Sequence, residues 1–288
     1  MAAEAGAFPC VIVPVYGALE ALRECLASLH RTLPQGARVW LCDDASPQPD
    51  IGALCAAFAR EAPFRVDCVR RESNAGFVGN VERAFGETDP DDVILLNSDT
   101  VATRGWYEAL VACAQSDPRI GTITPWSNNA EICSFPRFCE AAPLPEAPDL
   151  LAEAAAALGP GDYVDLPTGV GFCMYVRRAL LRAVGGFDQA TFGRGYGEEN
   201  DLCLRAAAHG WRNVLCHTAY VGHRGGASFA AEGHRPGGEN LMRLNARYPA
   251  YNRIVAEFIM HDPLRPLRER FAARIDAARR FEQRDLFA

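Results

Sequence analysis

The stretch V-I-L-L-N-S-D-T (Val93–Thr100) joins four consecutive apolar side chains to a polar, acidic end. An apolar run without polar alternation is what a strand covered on both faces requires, as in a parallel sheet flanked by helices. Ligands of such sheets gather at the carboxyl ends of the strands. Asn97, Ser98 and Asp99, directly after the run, are therefore candidates for chemistry rather than packing.

The same pattern repeats toward the amino terminus. Cys10–Val15 reads as a short buried strand, and Leu19–Leu33 as a helix with Leu19, Leu22, Leu26, Leu29 and Leu33 on one face. Arg38–Cys42 is a second strand, stopped by D-D-A-S-P (Asp43–Pro47); a helix over Ile51–Ala62 and a strand over Arg65–Arg70 follow. Asn80–Phe85 lies in another helix. Strands alternating with helices predict an α/β fold, a mostly parallel sheet with right-handed crossovers. Its strand ends carry Pro14, Val15 and Tyr16, then Asp43 and Asp44, then Asn97 to Asp99.

Downstream, Ala141–Gly161 is a proline- and alanine-rich insertion, with Asp149 as N-cap of a short helix through Leu158. A glycine-led strand is expected over Thr168–Val176, and a helix over Arg178–Val184 closed by Gly185 and Gly186. The organisation expected is a main domain over 1–230, with halves of about 9–125 and 126–230, and a helical extension over 231–288.

Composition bounds the function. A chain of 288 residues can bury a sizeable core. Its net charge of -7 argues against nucleic acid as the main partner. All 29 cationic side chains are arginine, which excludes a catalytic lysine. The 11 cysteines form no C-x-x-C pair and sit mostly in apolar runs, which points to a reducing cytoplasm. No apolar stretch approaches the ~20 residues that cross a bilayer.

The segment Phe192–Phe229 is the other informative stretch. It sets Glu198, Glu199 and Asp201 at the head of an apolar-striped helix, with Asn200 as the expected N-cap, and then His223 beside a glycine-rich turn. One acidic cluster can bind a cation and the other can take a proton. That division suits transfer of a group from a charged phosphate ester.

Five motifs occur in one order: V-I-V-P-V-Y (Val11–Tyr16), C-D-D-A-S (Cys42–Ser46), S-N-A-G-F-V-G-N (Ser73–Asn80), L-L-N-S-D-T (Leu95–Thr100), and G-F-D (Gly186–Asp188) followed by G-Y-G-E-E-N-D-L-C-L-R-A (Gly195–Ala206). Together they resemble the inverting family 2 glycosyltransferases with the GT-A fold, over roughly Pro9–Phe229. The resemblance implies a nucleotide-sugar donor, with UDP the commonest base, and a saccharide or lipid-linked acceptor in bacterial surface-polysaccharide or glycan synthesis. It implies that Asp43 and Asp44 hydrogen-bond base and ribose, that Pro14, Val15 and Tyr16 wall the base, and that Asn74, Gly76 and Asn80 belong to the loop approaching it. Each also has a plainer reading: D-D-A-S-P is turn chemistry, and Gly76 suits a positive φ.

Asn97-Ser98-Asp99 stands where the family has D-x-D, so Asp99 is the implied ligand of Mn²⁺ or Mg²⁺. Hard cations take oxygen ligands and let substrate phosphates complete the shell. His223 matches a second metal or diphosphate contact, and imidazole favours Mn²⁺; Arg224 and Ser228 are placed to touch phosphate. The family's base aligns with Glu199, where aspartate is the norm, so Asp201 remains the runner-up and Glu198 a member of the cluster. Asp188 reads as a turn residue. Two rival functions stand beside this one: a nucleotidyltransferase, whose basic glycine-rich loop is missing near Pro14–Leu19, and a non-catalytic sugar-nucleotide-binding module.

In the tail, Leu264, Leu267, Phe271, Ile275 and Ala278 recur at helical spacing among arginines, within a helix from about Leu267 to Arg284. Such a stripe packs on the protein's own body or a homodimer partner more often than on the inner face of a membrane, and that is the expectation here.

Overall fold

The computed structural model describes residues 8–225 and 238–285. In chain order the first elements are β1 (Cys10–Val15), α1 (Leu19–Thr32), β2 (Arg38–Asp43), α2 (Pro49–Glu61), β3 (Arg65–Arg70), α3 (Gly76–Glu87) and β4 (Val93–Leu96). Then come β5 (Thr100–Val101), α4 (Trp106–Ser116), β6 (Ile120–Trp126), a 3₁₀ turn at Glu131–Cys133, α5 (Pro148–Ala156) and β7 (Cys173–Val176). The chain continues through α6 (Arg178–Val184), α7 (Gln189–Phe192), α8 (Glu198–Ala208), β8 (Arg212–Tyr220) and β9 (Gly222–His223). Helices α9 (Glu239–Arg247), α10 (Tyr251–His261) and α11 (Arg265–Asp285) close it.

Local chemistry accounts for many of these limits. Helix α1 buries Leu22, Cys25, Leu26 and Leu29, one face at helical spacing, and its cap residue Leu33 is extended, as a residue before proline should be. Helix α2 opens with Pro49 in its first turn, where a missing N–H costs nothing. Strand β3 lies at the sheet edge and shows Arg65, Asp67 and Arg70, charges that resist further pairing.

Seven strands form one sheet in the order β3-β2-β1-β4-β7-β6-β8. β3, β2, β1 and β4 run parallel, β7 is antiparallel to both β4 and β6, and β6 pairs parallel with β8. Alternate strand residues serve opposite faces: Val11, Val13, Ile94 and Leu96 join one core, while Ile12, Val93 and Leu95 join the other. The reversed strand matters for the site. In its register Leu96 faces Cys173, so the segment entering β7 arrives at the edge where β4 ends. The Asn97 amide donates to the Phe172 carbonyl there, at 2.8 Å.

Three boundaries differ from the sequence reading. Helix α8 starts at Glu198 with Gly197 (φ 105°) as cap, because only glycine readily takes that backbone; Asn200 lies within the first turn, and so do all three carboxylates. Helix α5 starts at Pro148, and Asp149 in its first turn accepts the Arg104 amide at 3.0 Å instead of capping its own helix. Strand β7 is limited to Cys173–Val176, and the glycine-containing residues before it form the approach to the site.

The tail stripe faces the protein's own body except at Ala278, which is exposed. Leu264 and Phe271 are buried in the larger core, with Leu267 and Ile275 packed against it. Phe271 stacks on Phe135 with ring centroids 4.0 Å apart and also meets Trp126 and Tyr220. Among the described residues no helix is long and apolar enough to cross a membrane. Phe271→Ala should therefore cost about 3–5 kcal/mol in urea unfolding. A loss below ~1 kcal/mol would show that α11 contributes little to the core.

Candidate active site

The carboxyl ends of β1, β2, β4 and β6 lie along one edge, joined by the amino end of β7 and the end of β8. Helix α8 leads into β8 through a short turn, which brings its amino terminus back to the same edge. Most polar residues singled out in the sequence come together here.

On the β1–β2 side, Pro14 and Val15 are buried and Tyr16 is half-buried. Asp43 accepts from the Ser46 amide (2.9 Å) and from Arg70 (2.5 Å). Asp44 accepts the amides of Ala75 (2.8 Å) and Gly76 (2.9 Å), bracing the loop that enters α3. Asn80 donates to the Cys42 carbonyl (2.8 Å) and accepts from Arg71 (2.9 Å), so it ties α3 to the end of β2. Gly76 has φ 77°, and a Cβ there would meet the Arg194 backbone at 3.2 Å. Both conformation and space therefore require glycine. Asn74 accepts from Arg194 and from the Gly76 amide, while its Nδ2 is buried without a partner.

At the end of β4, Ser98 and Asp99 are buried, and Asn97 Oδ1 is a buried acceptor without a partner. Strand β5 pairs with β9, setting Thr100 opposite His223. His223 Nε2 thereby lies 3.3 Å from Asp99 Oδ1. The other ring nitrogen, Nδ1, lies 2.7 Å from the Asn129 carbonyl, which can only accept, so Nδ1 carries a proton. A neutral ring then points the Nε2 lone pair at the carboxylate, an arrangement that calls for a proton or a cation between them. A histidine oriented by a backbone carbonyl through its far nitrogen is the usual support for a metal ligand. These residues fit a divalent cation. Among the described residues no three His, Cys, Asp or Glu side chains are placed to hold one metal ion, so water and phosphate oxygens would complete the shell. The Arg224 amide donates to the Asp99 carbonyl (3.0 Å), while its guanidinium pairs with Glu24 (2.6 Å). Ser228 lies outside the described residues.

The three carboxylates of α8 divide by their partners. Asp201 has no exposed side-chain surface and binds Arg205 (2.8 Å), Arg247 (2.8 Å) and the Tyr248 hydroxyl (2.9 Å), tying α8 to α9. Glu198 and Glu199 instead have no cationic partner among the described residues, and each keeps a buried Oε2 without a hydrogen-bond partner. Burial and the neighbouring Glu199 push the Glu198 carboxyl well above the ordinary range, so Glu198 holds its proton. Burial first, and Glu131 among the further causes, push Glu199 up to about 7. Asp188 is a turn residue as expected: it caps α7 through the Thr191 amide (3.0 Å) and also binds Arg247 (2.8 Å).

The approach to β7 touches both centres. The Phe172 ring stacks on the His223 ring at 5.1 Å, and a Cβ on Gly171 would lie 3.8 Å from Glu199 Cγ. Sequence reasoning passed over Phe172, Gly171, Asn129, Glu131 and Tyr251. Glu131 has φ 46°, a left-handed backbone unusual for glutamate, and is among the groups that raise Glu199; both acids help to raise the Tyr251 hydroxyl of α10. The glycine pair before β7 was the one legible signal among them.

A glycosyl transferase family 2 model matches residues 10–185. The chain belongs to glycosyl transferase family 2. This glycosyltransferase is 28% identical over 239 residues to the N-acetylglucosaminyl-diphospho-decaprenol L-rhamnosyltransferase of Mycobacterium tuberculosis, covering 74% of this chain and 75% of that one. Its fold is similar to that of GalNAc-T7, solved with UDP, GalNAc and Mn²⁺ (TM-score 0.59, 16% identity), covering 77% of this chain and 44% of the other. It is also similar to a mannosyltransferase of Pyrobaculum calidifontis in complex with GDP-Man and Mn²⁺ (TM-score 0.57, 15% identity), covering 95% and 75%. At such identities the likeness is one of fold, and the fold is GT-A.

Two outcomes follow from this geometry. Asp99→Ala should abolish the enhancement of UDP binding by Mn²⁺ in calorimetric titration while leaving the fold intact; equal UDP affinity in mutant and wild type across the titration would remove Asp99 from the metal site. For Glu199, the folded carboxyl titrates above its unfolded value. It thus favours folding below the unfolded value, and that contribution is lost as pH rises through about 7. Glu199→Gln should raise the thermal midpoint by roughly 2 °C or more at about pH 8.5, with little difference near about pH 5. A gap of the same size at both pH values would contradict the buried acid pair.

Proposed function

We propose that this glycosyltransferase moves a sugar from a nucleoside diphosphate donor, a UDP-sugar foremost, to a hydroxyl of a saccharide or lipid-linked acceptor, inverting the anomeric carbon. The setting proposed is bacterial surface-polysaccharide or glycan synthesis at the inner face of the membrane. The observation that carries this reading is the placement of adjacent residues: Phe172 stacks on His223, and the next residue back, Gly171, approaches Glu199 so closely that a Cβ there would lie 3.8 Å from its Cγ. A cation-holding pair and a proton-accepting carboxylate thereby sit side by side. A relative named for a diphospho-decaprenol acceptor, and folds solved with UDP or GDP-Man and Mn²⁺, support the donor and acceptor classes.

In this scheme Pro14, Val15 and Tyr16 wall the base, and Asp43 and Asp44 frame base and ribose beside Asn74, Gly76 and Asn80. Asn97 and Ser98 flank the donor diphosphate; Arg224, on leaving Glu24, and Ser228 are proposed as further phosphate contacts. Asp99 and His223 would hold Mn²⁺ or Mg²⁺, whose charge offsets that of the departing diphosphate. Glu199 takes the acceptor hydroxyl proton as that oxygen attacks C1 from the face opposite the diphosphate. The new C–O bond forms while the bond from C1 to the phosphate oxygen breaks, and its electron pair leaves with the nucleoside diphosphate. Glu198, keeping its own proton, adds no second negative charge beside the base. Asp201, engaged with Arg205, Arg247 and Tyr248, supports the helix that carries the base.

Glu199→Gln should lower kcat by ~10²–10⁴-fold with donor affinity preserved, since the exchange is nearly isosteric and deletes only the base. In the wild type, kcat/KM should climb as pH passes through about 7, because the base works deprotonated. Proton NMR of the product should show the opposite anomeric configuration to the donor; retained configuration would rule out the single displacement.

A further inference from the structure

Glu199 follows a loop with an unusual backbone. Tyr196 (φ 71°) and Gly197 (φ 105°), the two residues before Glu198, both have positive φ. A tyrosine stays in that region only where its surroundings over-determine it. Burial pushes the Tyr196 hydroxyl up, with Glu198 and Glu199 as the further causes, so Tyr196 borders the acid pair. Whatever holds these residues therefore bears on where Glu199 stands.

One face of α9 supplies the hold. Asn240, Arg243, Leu244 and Arg247 stand at i, i+3, i+4 and i+7, and Leu244 is buried. Asn240 Nδ2 donates to the carbonyls of Phe192 (2.8 Å) and Gly195 (2.6 Å). Arg243 donates to the Thr191 carbonyl (2.9 Å). Arg247 donates through Nη1 to Asp201 (2.8 Å), and through Nη2 to Asp188 (2.8 Å) and to the Thr191 hydroxyl (2.8 Å). Its guanidinium also lies 5.8 Å from the centre of the buried Phe192 ring. That ring packs so closely on Gly197 that a Cβ there would meet it at 3.1 Å. The bonds from α9 thus grip the chain on both sides of Tyr196 and Gly197, at Asp188 to Gly195 before them and at Asp201 after them. A planar guanidinium fork fixes geometry as well as charge, and the Asp201 end of it is shut off from water.

We propose that Asn240 and Arg247 are positioning residues for Glu199: through the loop ahead of α8, and through Asp201, they fix where that carboxyl stands. Helix α9 then belongs to the machinery of transfer. This rests on the reading of Glu199 as the base. The test titrates Glu199 in the full chain, labelled with ¹³C at the glutamate carboxyls, its signal identified by comparison with Glu199→Gln. Glu198, Glu131, Cys203, Tyr196 and Tyr251 are ionisable groups beside it, and the variants below change none of them. The wild-type midpoint is expected at about 7. Asn240→Ala removes both donors to the loop carbonyls. Arg247→Lys keeps a charge beside Asp201 but loses the fork, so it guards against a variant that merely fails to fold. Each should lower the Glu199 midpoint by roughly half a pH unit or more, because a loop released from α9 lets water reach the carboxyl. A wild-type midpoint near that value which neither folded variant moves would overturn the positioning role and leave the reading of Glu199 as base standing. A wild-type midpoint in the ordinary carboxylate range would overturn that reading, and the positioning role with it.

Discussion

One reversed strand organises the site. Strands β4 and β6 point the same way and β7 between them runs antiparallel to both, so its amino end meets their carboxyl ends. The hydrogen bond from the Asn97 amide to the Phe172 carbonyl fixes that meeting. From it follow the stacking of Phe172 on His223 and the closeness of Gly171 to Glu199. A parallel β7 would carry residues 169–172 to the opposite edge, and the two acidic centres would lose their common wall.

Electrostatics then assigns the centres different work. Asp99 faces an imidazole whose far nitrogen is held by a backbone carbonyl, so the pair is arranged around positive charge. Glu198 and Glu199 have no cationic partner among the described residues and are buried with Glu131 nearby, so the pair favours a proton. Asp201, two positions along the same helix turn, is surrounded by arginine and tyrosine donors. Three acids in four residues thus have three different environments, and their chemistry differs for that reason. Keeping a carboxyl near neutrality in folded protein works against stability above that pH, a tension common at functional sites.

The carboxy-terminal helices belong to the same logic. Phe271 and Leu264 enter the main core, Arg247 and Tyr248 hold Asp201, and Asn240 donates to the Phe192 and Gly195 carbonyls of the glycine-rich loop before α8. Through these contacts α9 and α11 brace helix α8, which carries the proposed base, while α10 is only partly covered, with Phe258 packed against the larger core.

Much was legible from the chain alone. Apolar runs such as Val93–Leu96 and helical spacing such as Leu22, Leu26 and Leu29 are local, period-bound signals, and they defined the alternating elements and the polar strand ends. Ordered motifs gave the family. Exact helix starts were less legible, because Gly197 wins over Asn200 by backbone conformation, which neighbouring loops decide. The reversal of β7, the partner of His223 and the separate environments of Glu199 and Asp201 were set only by tertiary structure. Those depend on which segments meet across 46 to 124 positions of sequence, as Asp201 meets Arg247 and Asp99 meets His223. Residue type and spacing determined which groups can do chemistry; burial and long-range partners decided which of them hold charge, which hold a proton, and which hold the fold.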